Sequence, residues 1–299
     1  MVWVIGCNGM LGTELCREFK NGGIEFIGTD RNVDMTDFSS LESFASSLMS
    51  GGKKIDFIVN CAAYTAVDKA ESDEAFARKL NSDGPGNIAR LAKKIGAKLV
   101  HISTDYVFDG SADSPLTENM KINPLGVYGK TKAEGESAVA AEASEFYILR
   151  TSWLYGWDGK NFVYTMIRAM NTHESVKVVN DQRGTPTFCA DLANVIITII
   201  RNGNVPFGIY HVSDLGETTW FGFAEEIKRL GVKYGFISNA GCTVNPCLTF
   251  EYPTPAKRPA YSVFDKSKII SAVGNIIPEW KISLEKFMQS DLFDRTKIV

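Results

Sequence analysis

Val2-Trp3-Val4-Ile5-Gly6-Cys7-Asn8-Gly9-Met10-Leu11-Gly12 runs a short apolar strand straight into a glycine-spaced turn. Four apolar residues in succession predict a strand buried on both faces. Gly6, Gly9 and Gly12 then stand in a G-x-x-G-x-x-G pattern, and Thr13–Lys20 carries Leu15 and Phe19 at helical spacing. Strand, glycine turn and helix in that order suit a dinucleotide. Glycines allow the tight turn and leave no Cβ between backbone and pyrophosphate. The helix start at Met10 and Leu11 offers unpaired N–H groups and a partial positive charge. Three glycines could equally pack helix on strand, so the flanking elements carry the assignment.

The alternation continues downstream. Glu25–Gly28, Phe57–Asn60, Leu99–Ser103 and Phe146–Arg150 predict further strands. Ser40–Ser50 carries Leu41, Phe44, Ala45 and Leu48, and Gly86–Ile95 carries Ile88, Leu91, Ala92 and Ile95, both at helical spacing. Continuous apolar strands divided by amphipathic helices imply parallel pairing with right-handed crossovers, hence an α/β fold with a doubly wound parallel sheet of Rossmann type. Past residue 150 the rhythm weakens. Ala190–Arg201 still reads as a helix, but six of the ten prolines follow residue 200, and Asn202–Gly216 and Gly241–Ala260 collect turn formers. Residues 1–150 with 187–205 are therefore expected to form a dinucleotide-binding domain. Residues 151–186 with 206–299 are expected to form a smaller α/β substrate-binding region over the carboxyl edge of the sheet.

Composition excludes several classes. The 299 residues carry 32 basic and 35 acidic side chains, a net charge of −3, without the basic excess of a general nucleic-acid binder. No apolar run reaches the roughly 18 residues of a membrane span. The first residues lack a basic segment and a small-residue cleavage site, so a cytoplasmic protein is expected. Six scattered cysteines suggest free thiols rather than a disulfide framework, and Cys242 with Cys247 lack the further ligands of a zinc site.

Chemistry concentrates at the predicted strand ends. After the second strand, Asp30 could accept from a ribose 2′-hydroxyl and so favour NADH, whereas Arg31 could pair with a 2′-phosphate and favour NADPH. Asp34-Met35-Thr36-Asp37 follows, either beside an adenine pocket or as a helix N-cap. Tyr128 and Lys132 stand four apart, on one face of a predicted helix. Free tyrosine titrates near about 10, and an ammonium one turn away would lower that value and make a usable acid. Upstream, His101-Ile102-Ser103-Thr104-Asp105-Tyr106 ends an apolar strand in hydroxyls and a carboxylate. Thr104 could there donate to a substrate oxygen. Arg258, between Lys257 and Pro259, reads either as a pyrophosphate clamp or as a surface arginine, and Gln182-Arg183 raise the same alternatives. His101 reads as a core histidine, and His211, after Gly208-Ile209-Tyr210, as an ordinary strand residue.

These segments, together with Asn60-Cys61-Ala62-Ala63-Tyr64-Thr65-Ala66-Val67-Asp68, resemble the extended short-chain dehydrogenase/reductase family. Arg150–Gly156, Asn180–Thr187 and Tyr252–Pro259 narrow the resemblance to the branch that reduces dTDP-linked 4-keto deoxysugars. It spans nearly the whole chain. The resemblance implies Tyr128 as proton donor, Lys132 as its partner and Thr104 as the hydroxyl that polarises the C4 carbonyl. It implies NADPH or NADH held by Gly6, Gly9, Met10, Leu11, Gly12, Asp30, Arg31, Asp34, Met35, Cys61, Ala62, Ala63, Tyr64 and Ser103, with Tyr128 and Lys132. The nucleotide sugar would meet Thr65, Val67, Thr104, Asp105, Tyr106 and Trp153, with Arg258 beside it. Glu14 and Asp191 match positions where some relatives hold magnesium between subunits. Ala190 replaces a further acid of that cluster, so no metal is expected, and a homodimer stays possible. Two rivals remain. One is another nucleotide-sugar reductase, a 4,6-dehydratase or an epimerase; dehydratases resembling this family follow the active threonine with Asp-Glu, whereas Thr104-Asp105 is followed here by Tyr106. A non-catalytic regulatory subunit resembling that of methionine adenosyltransferase would bind cofactor and turn nothing over.

Overall fold

A computed structural model describes residues 1–298; the last residue of the expected substrate region lies outside them. Six parallel strands form the main sheet: β1 (Val2–Ile5), β2 (Phe26–Thr29), β3 (Phe57–Asn60), β4 (Lys98–Thr104), β5 (Phe146–Thr151) and β6 (Gly208–His211). Their order is β6-β5-β4-β3-β1-β2. The winding direction reverses between β1 and β3, which opens a crevice at their carboxyl ends, where ligands of such sheets bind. Five of the strands lie within a residue of the positions read from hydrophobic runs. The sixth, expected in the smaller region, pairs with β5 because Tyr210 and Val212 complete the apolar layer under that edge.

Helices cover both faces. On one, α1 (Met10–Asn21) and Cys189–Asn202 pack together over Val2, Val4, Val59 and Leu149, joined by Ile269 and Val273. On the other, Phe38–Ser50 and Gly84–Ile95 cover Trp3, Ile5, Ile58 and Ile148. Strands with apolar residues on both faces are thereby buried twice over. Asp37 is the residue of the Asp34–Asp37 segment that caps a helix, accepting from Ser39 N at 2.9 Å.

A second apolar core lies apart from the sheet. Tyr155, Trp157, Tyr164, Phe188, Phe223, Trp280 and Phe287 build it, largely from edge-to-face aromatic contacts. Between this body and the sheet edge opens a cleft of about 1020 Å³. No helix among the described residues is long and apolar enough to cross a membrane. All six cysteines are free thiols.

Candidate active site

The glycine turn forms one wall. Gly6 has φ +82°, and a Cβ there would stand 2.7 Å from Ala62 N. A Cβ on Gly12 would meet the Gly6 carbonyl at 2.1 Å, so Gly12 is a packing residue; it sits off the cleft wall. Gly9 is different. Its Cβ position is 3.4 Å from its nearest neighbour, and the residue both lines the cleft and caps α1 with no acid in the first turn. A bare, N–H-rich cradle that internal packing does not require fits a pyrophosphate. Met10 and Leu11 line the same wall, and Asp30, Arg31, Asp34 and Met35 line its far end. Asp30 Oδ2 accepts from Asn8 N at 3.3 Å, while hydrogen bonds from Thr36 hold Asp34 below the usual carboxylate range.

Cys61, Ala62 and Ala63 lie along the floor beyond β3. Asn60 sets that loop by accepting from Ala62 N at 3.1 Å while its amide meets His101 Nδ1 at 3.1 Å. His101 is buried as expected, yet its Nε2 has no protein partner. Tyr64 lies off the wall: its ring turns edge-on to Phe76, its hydroxyl donates to Asp73, and Asn81 holds its backbone on both sides.

The opposite wall carries the reactive groups. The helix Val127–Glu142 begins where Val127 N donates to the distant Glu71 carboxylate. Gly129 lets it press on the Tyr106 carbonyl, where a Cβ would stand 2.2 Å away. This places Tyr128 and Lys132 in the cleft with Ser103, Thr104 and Asp105 at the end of β4. The Tyr106 ring meets Tyr128 edge-on, centroids 5.4 Å apart. Thr104 Oγ1 donates to Asp105 Oδ1 at 3.0 Å and accepts from Tyr106 N at 3.2 Å. Asp105 Oδ2 is buried without a partner, and burial pushes this carboxyl up to about 6. The Ser262 and Thr104 hydroxyls oppose that rise.

The expected lowering of the tyrosine does not occur. Burial pushes Tyr128 up to about 12, with hydrogen bonding to Thr104 opposing and the Asp105 charge adding. Lys132 instead donates to the Ile102 carbonyl at 2.6 Å, and burial pushes its ammonium down to about 8 while Glu136 pulls it back up. Tyr128 is therefore a protonated acid at neutral pH. Behind these groups runs a buried chain. Glu136 accepts from Ser103 Oγ at 2.5 Å and from Arg150 Nε and Nη2 at 2.9 and 2.7 Å. Arg150 reaches His211 Nε2 at 3.3 Å, and His211 Nδ1 meets the Leu116 carbonyl at 2.8 Å.

Thr65, Val67 and Trp153 also line the cleft. Trp153 has φ +47°, the one positive φ of a non-glycine among the described residues. Such backbone costs about 1–3 kcal/mol and persists only where its surroundings impose it. Arg258 corrects an expectation: it lies off the wall, and its guanidinium is spent on Asp68 at 2.9 Å, on Thr254 and on the Ala256 carbonyl. It pins the Tyr252–Pro259 loop to the segment after β3. Gln182 donates to Thr249, and Arg183 pairs with Glu217. Sequence reading missed Lys79 and Lys160, the cleft cations that stand outside any motif.

Within one chain, Glu14 and Asp191 have protein partners. Glu14 pairs with Arg17, which also holds Asp158, and Asp191 accepts from Ser283 with Lys286 beyond. Among the described residues no group of three or more His, Cys, Asp or Glu could hold a metal.

Comparison with known proteins agrees with this geometry. Residues 1–292 match the family model described as the RmlD substrate binding domain. The chain is 37% identical to a dTDP-4-dehydrorhamnose reductase from Shigella flexneri across 99% of both chains. Among solved structures, a dTDP-4-dehydrorhamnose reductase from Clostridium acetobutylicum superposes with TM-score 0.88 at 44% identity, over 96% of this chain and 98% of that one. The Bacillus anthracis enzyme in complex with NADP gives 0.87 at 36% identity, over 96% and 97%.

Proposed function

The chain belongs to the RmlD substrate-binding-domain family, and on that footing we propose that it reduces the C4 keto group of dTDP-4-dehydro-L-rhamnose to give dTDP-L-rhamnose. It is an oxidoreductase of the dTDP-4-dehydrorhamnose reductase type, and NADPH or NADH, when bound, supplies the hydride. The glycine turn and the Cys61–Ala63 loop hold that cofactor. Thr104 donates to the C4 oxygen, and Tyr128 delivers the proton to it as charge develops there. Tyr128 carries its proton at neutral pH, and it must be made more acidic as the oxygen takes up charge. Lys132, fixed on the Ile102 carbonyl one turn along the same helix, supplies positive charge as the phenolate forms. Asp105 holds the Thr104 hydroxyl beside the sugar. The sheet domain then carries the cofactor, and the aromatic body closes the sugar end in a cytoplasmic enzyme.

One observation carries this reading: Thr104, Asp105, Tyr128 and Lys132 share a cleft with a glycine turn that leaves room for a pyrophosphate. The test follows loss of reduced nicotinamide absorbance with dTDP- and UDP-linked 4-keto-6-deoxysugars, using NADPH and NADH, with Tyr128→Phe as control. Oxidation is expected with the dTDP-linked substrate and not with the variant. A wild-type protein that is inert, or that dehydrates a dTDP-hexose instead, sinks the reading.

A further inference from the structure

We propose that Trp220 is a positioning residue for the sugar: its indole holds Trp153 in the orientation that faces the keto-sugar end of the cleft. The inference rests on the nucleotide-sugar reading above and adds a residue that does not itself line the cleft. Trp153 has left-handed backbone, which a bulky side chain rarely adopts without external constraint. The constraint is visible. The two indoles stack with centroids 3.7 Å apart and planes 12° from parallel. Phe162 supports Trp220 from behind at 4.7 Å. Gly184 makes the space: a Cβ there would stand 2.7 Å from Cε2 and Cζ2 of Trp153.

Trp220 is itself anchored. It opens the helix Trp220–Lys233, whose start is capped by Thr219 Oγ1 accepting from Gly222 N at 3.0 Å. The same hydroxyl donates to Asn180 Oδ1 at 2.7 Å. On the other side, Trp153 follows the strand in which Thr151 is in register with Thr104, and Ser152 Oγ donates to the Thr185 carbonyl at 2.7 Å. The stack therefore ties the aromatic body to the strand end beside the reacting hydroxyls. Residues held on both sides present a fixed surface to the sugar; without Trp220, Trp153 loses the partner that balances its strained backbone.

Steady-state kinetics on full-length Trp220→Leu, Trp220→Tyr and Trp220→Phe, with NADPH and dTDP-4-dehydro-L-rhamnose, test this. Trp220→Leu is expected to raise KM for the sugar nucleotide roughly fivefold to tenfold, with kcat and the KM for NADPH within about twofold. Trp220→Phe, which keeps an aromatic face, is expected to restore KM to within about threefold. The indole exciton couplet in far-ultraviolet circular dichroism is expected in wild type and lost in all variants. Should Trp220→Leu fail to fold, Trp220→Met, of similar volume but with a more adaptable side chain, carries the same expectation. An unmoved sugar KM in the aliphatic variants, or sugar and cofactor KM rising together, overturns the inference while wild-type turnover keeps the function reading intact. An inert wild type overturns both.

Discussion

Glu136→Gln probes the charge balance behind the reacting groups. The carboxylate accepts two bonds from Arg150 and one from Ser103, and both members of the ion pair are 5% exposed or less. Lys132 stands one turn before it on the same helix, so one anion faces two cations in a volume closed to water. Removing one partner of a buried pair costs about 3–5 kcal/mol, and loss of the single anion belongs at the upper end of that range. For a chain of this length the melting temperature is expected to fall by roughly 10 °C. Arg150→Met leaves the carboxylate with Ser103 and Lys132, and is expected to cost about 3 kcal/mol. The double variant Glu136→Met/Arg150→Met leaves neither charge of the pair, and should cost less than the sum of the single losses by about 2 kcal/mol or more. Urea unfolding followed by circular dichroism measures all three. A kinetic readout runs alongside. Glu136 holds the Lys132 ammonium up, so its loss moves the alkaline limb of kcat from near about 8 toward lower pH. Loss of under about 1 kcal/mol in Glu136→Gln, strict additivity in the cycle, or a limb that moves to higher pH would each refute the reasoning.

Tyr128→Phe keeps the edge-on packing against Tyr106 and removes only the acid; kcat is expected to fall about 10²–10⁴-fold with cofactor binding unchanged by fluorescence titration. Asp30 and Arg31 separate by kinetics: Arg31→Ala should raise KM for NADPH and spare NADH if the 2′-phosphate meets that guanidinium, and Asp30→Ala should do the reverse. His211 gives a stability test. Burial, then the Arg150 charge, hold it down to about 3, so the folded chain refuses a proton that the unfolded chain accepts below about 6.5. Stability is lost as pH falls through that window, by about 1.4 kcal/mol per pH unit from this group until the loss saturates near about 3. His211→Gln should flatten the urea-derived stability between pH 6.5 and 4.5 by about that slope; an unchanged slope refutes the assignment.

Much of the scaffold was legible because its signals are local. An apolar run buried on two faces, a helix-period stripe and a glycine that must avoid a neighbouring carbonyl are properties of a few adjacent residues. Val2–Ile5 and Phe57–Asn60 are strands at the bounds that such runs predict, and Thr104, Tyr128 and Lys132 stand at a strand end and on a helix face as their spacing requires. The sixth strand was legible as a strand but not as part of this sheet, because its place depends on an edge left open by β5.

What the tertiary structure alone decided is where each charge and each ring ends up. Arg258 reads from its neighbours as a free cation, yet a carboxylate 190 residues earlier takes it. Tyr128 reads as a tyrosine lowered by a lysine, yet the lysine turns to a carbonyl and desolvation raises the phenol. Lys79, Lys160 and Trp220 have no motif at all, since their importance comes from elements distant in the chain that meet only after folding. Periodicity is written in neighbours, whereas desolvation and pairing depend on the whole enclosing volume; the sequence therefore specified the frame and the reactive trio, and the fold set their protonation and their partners.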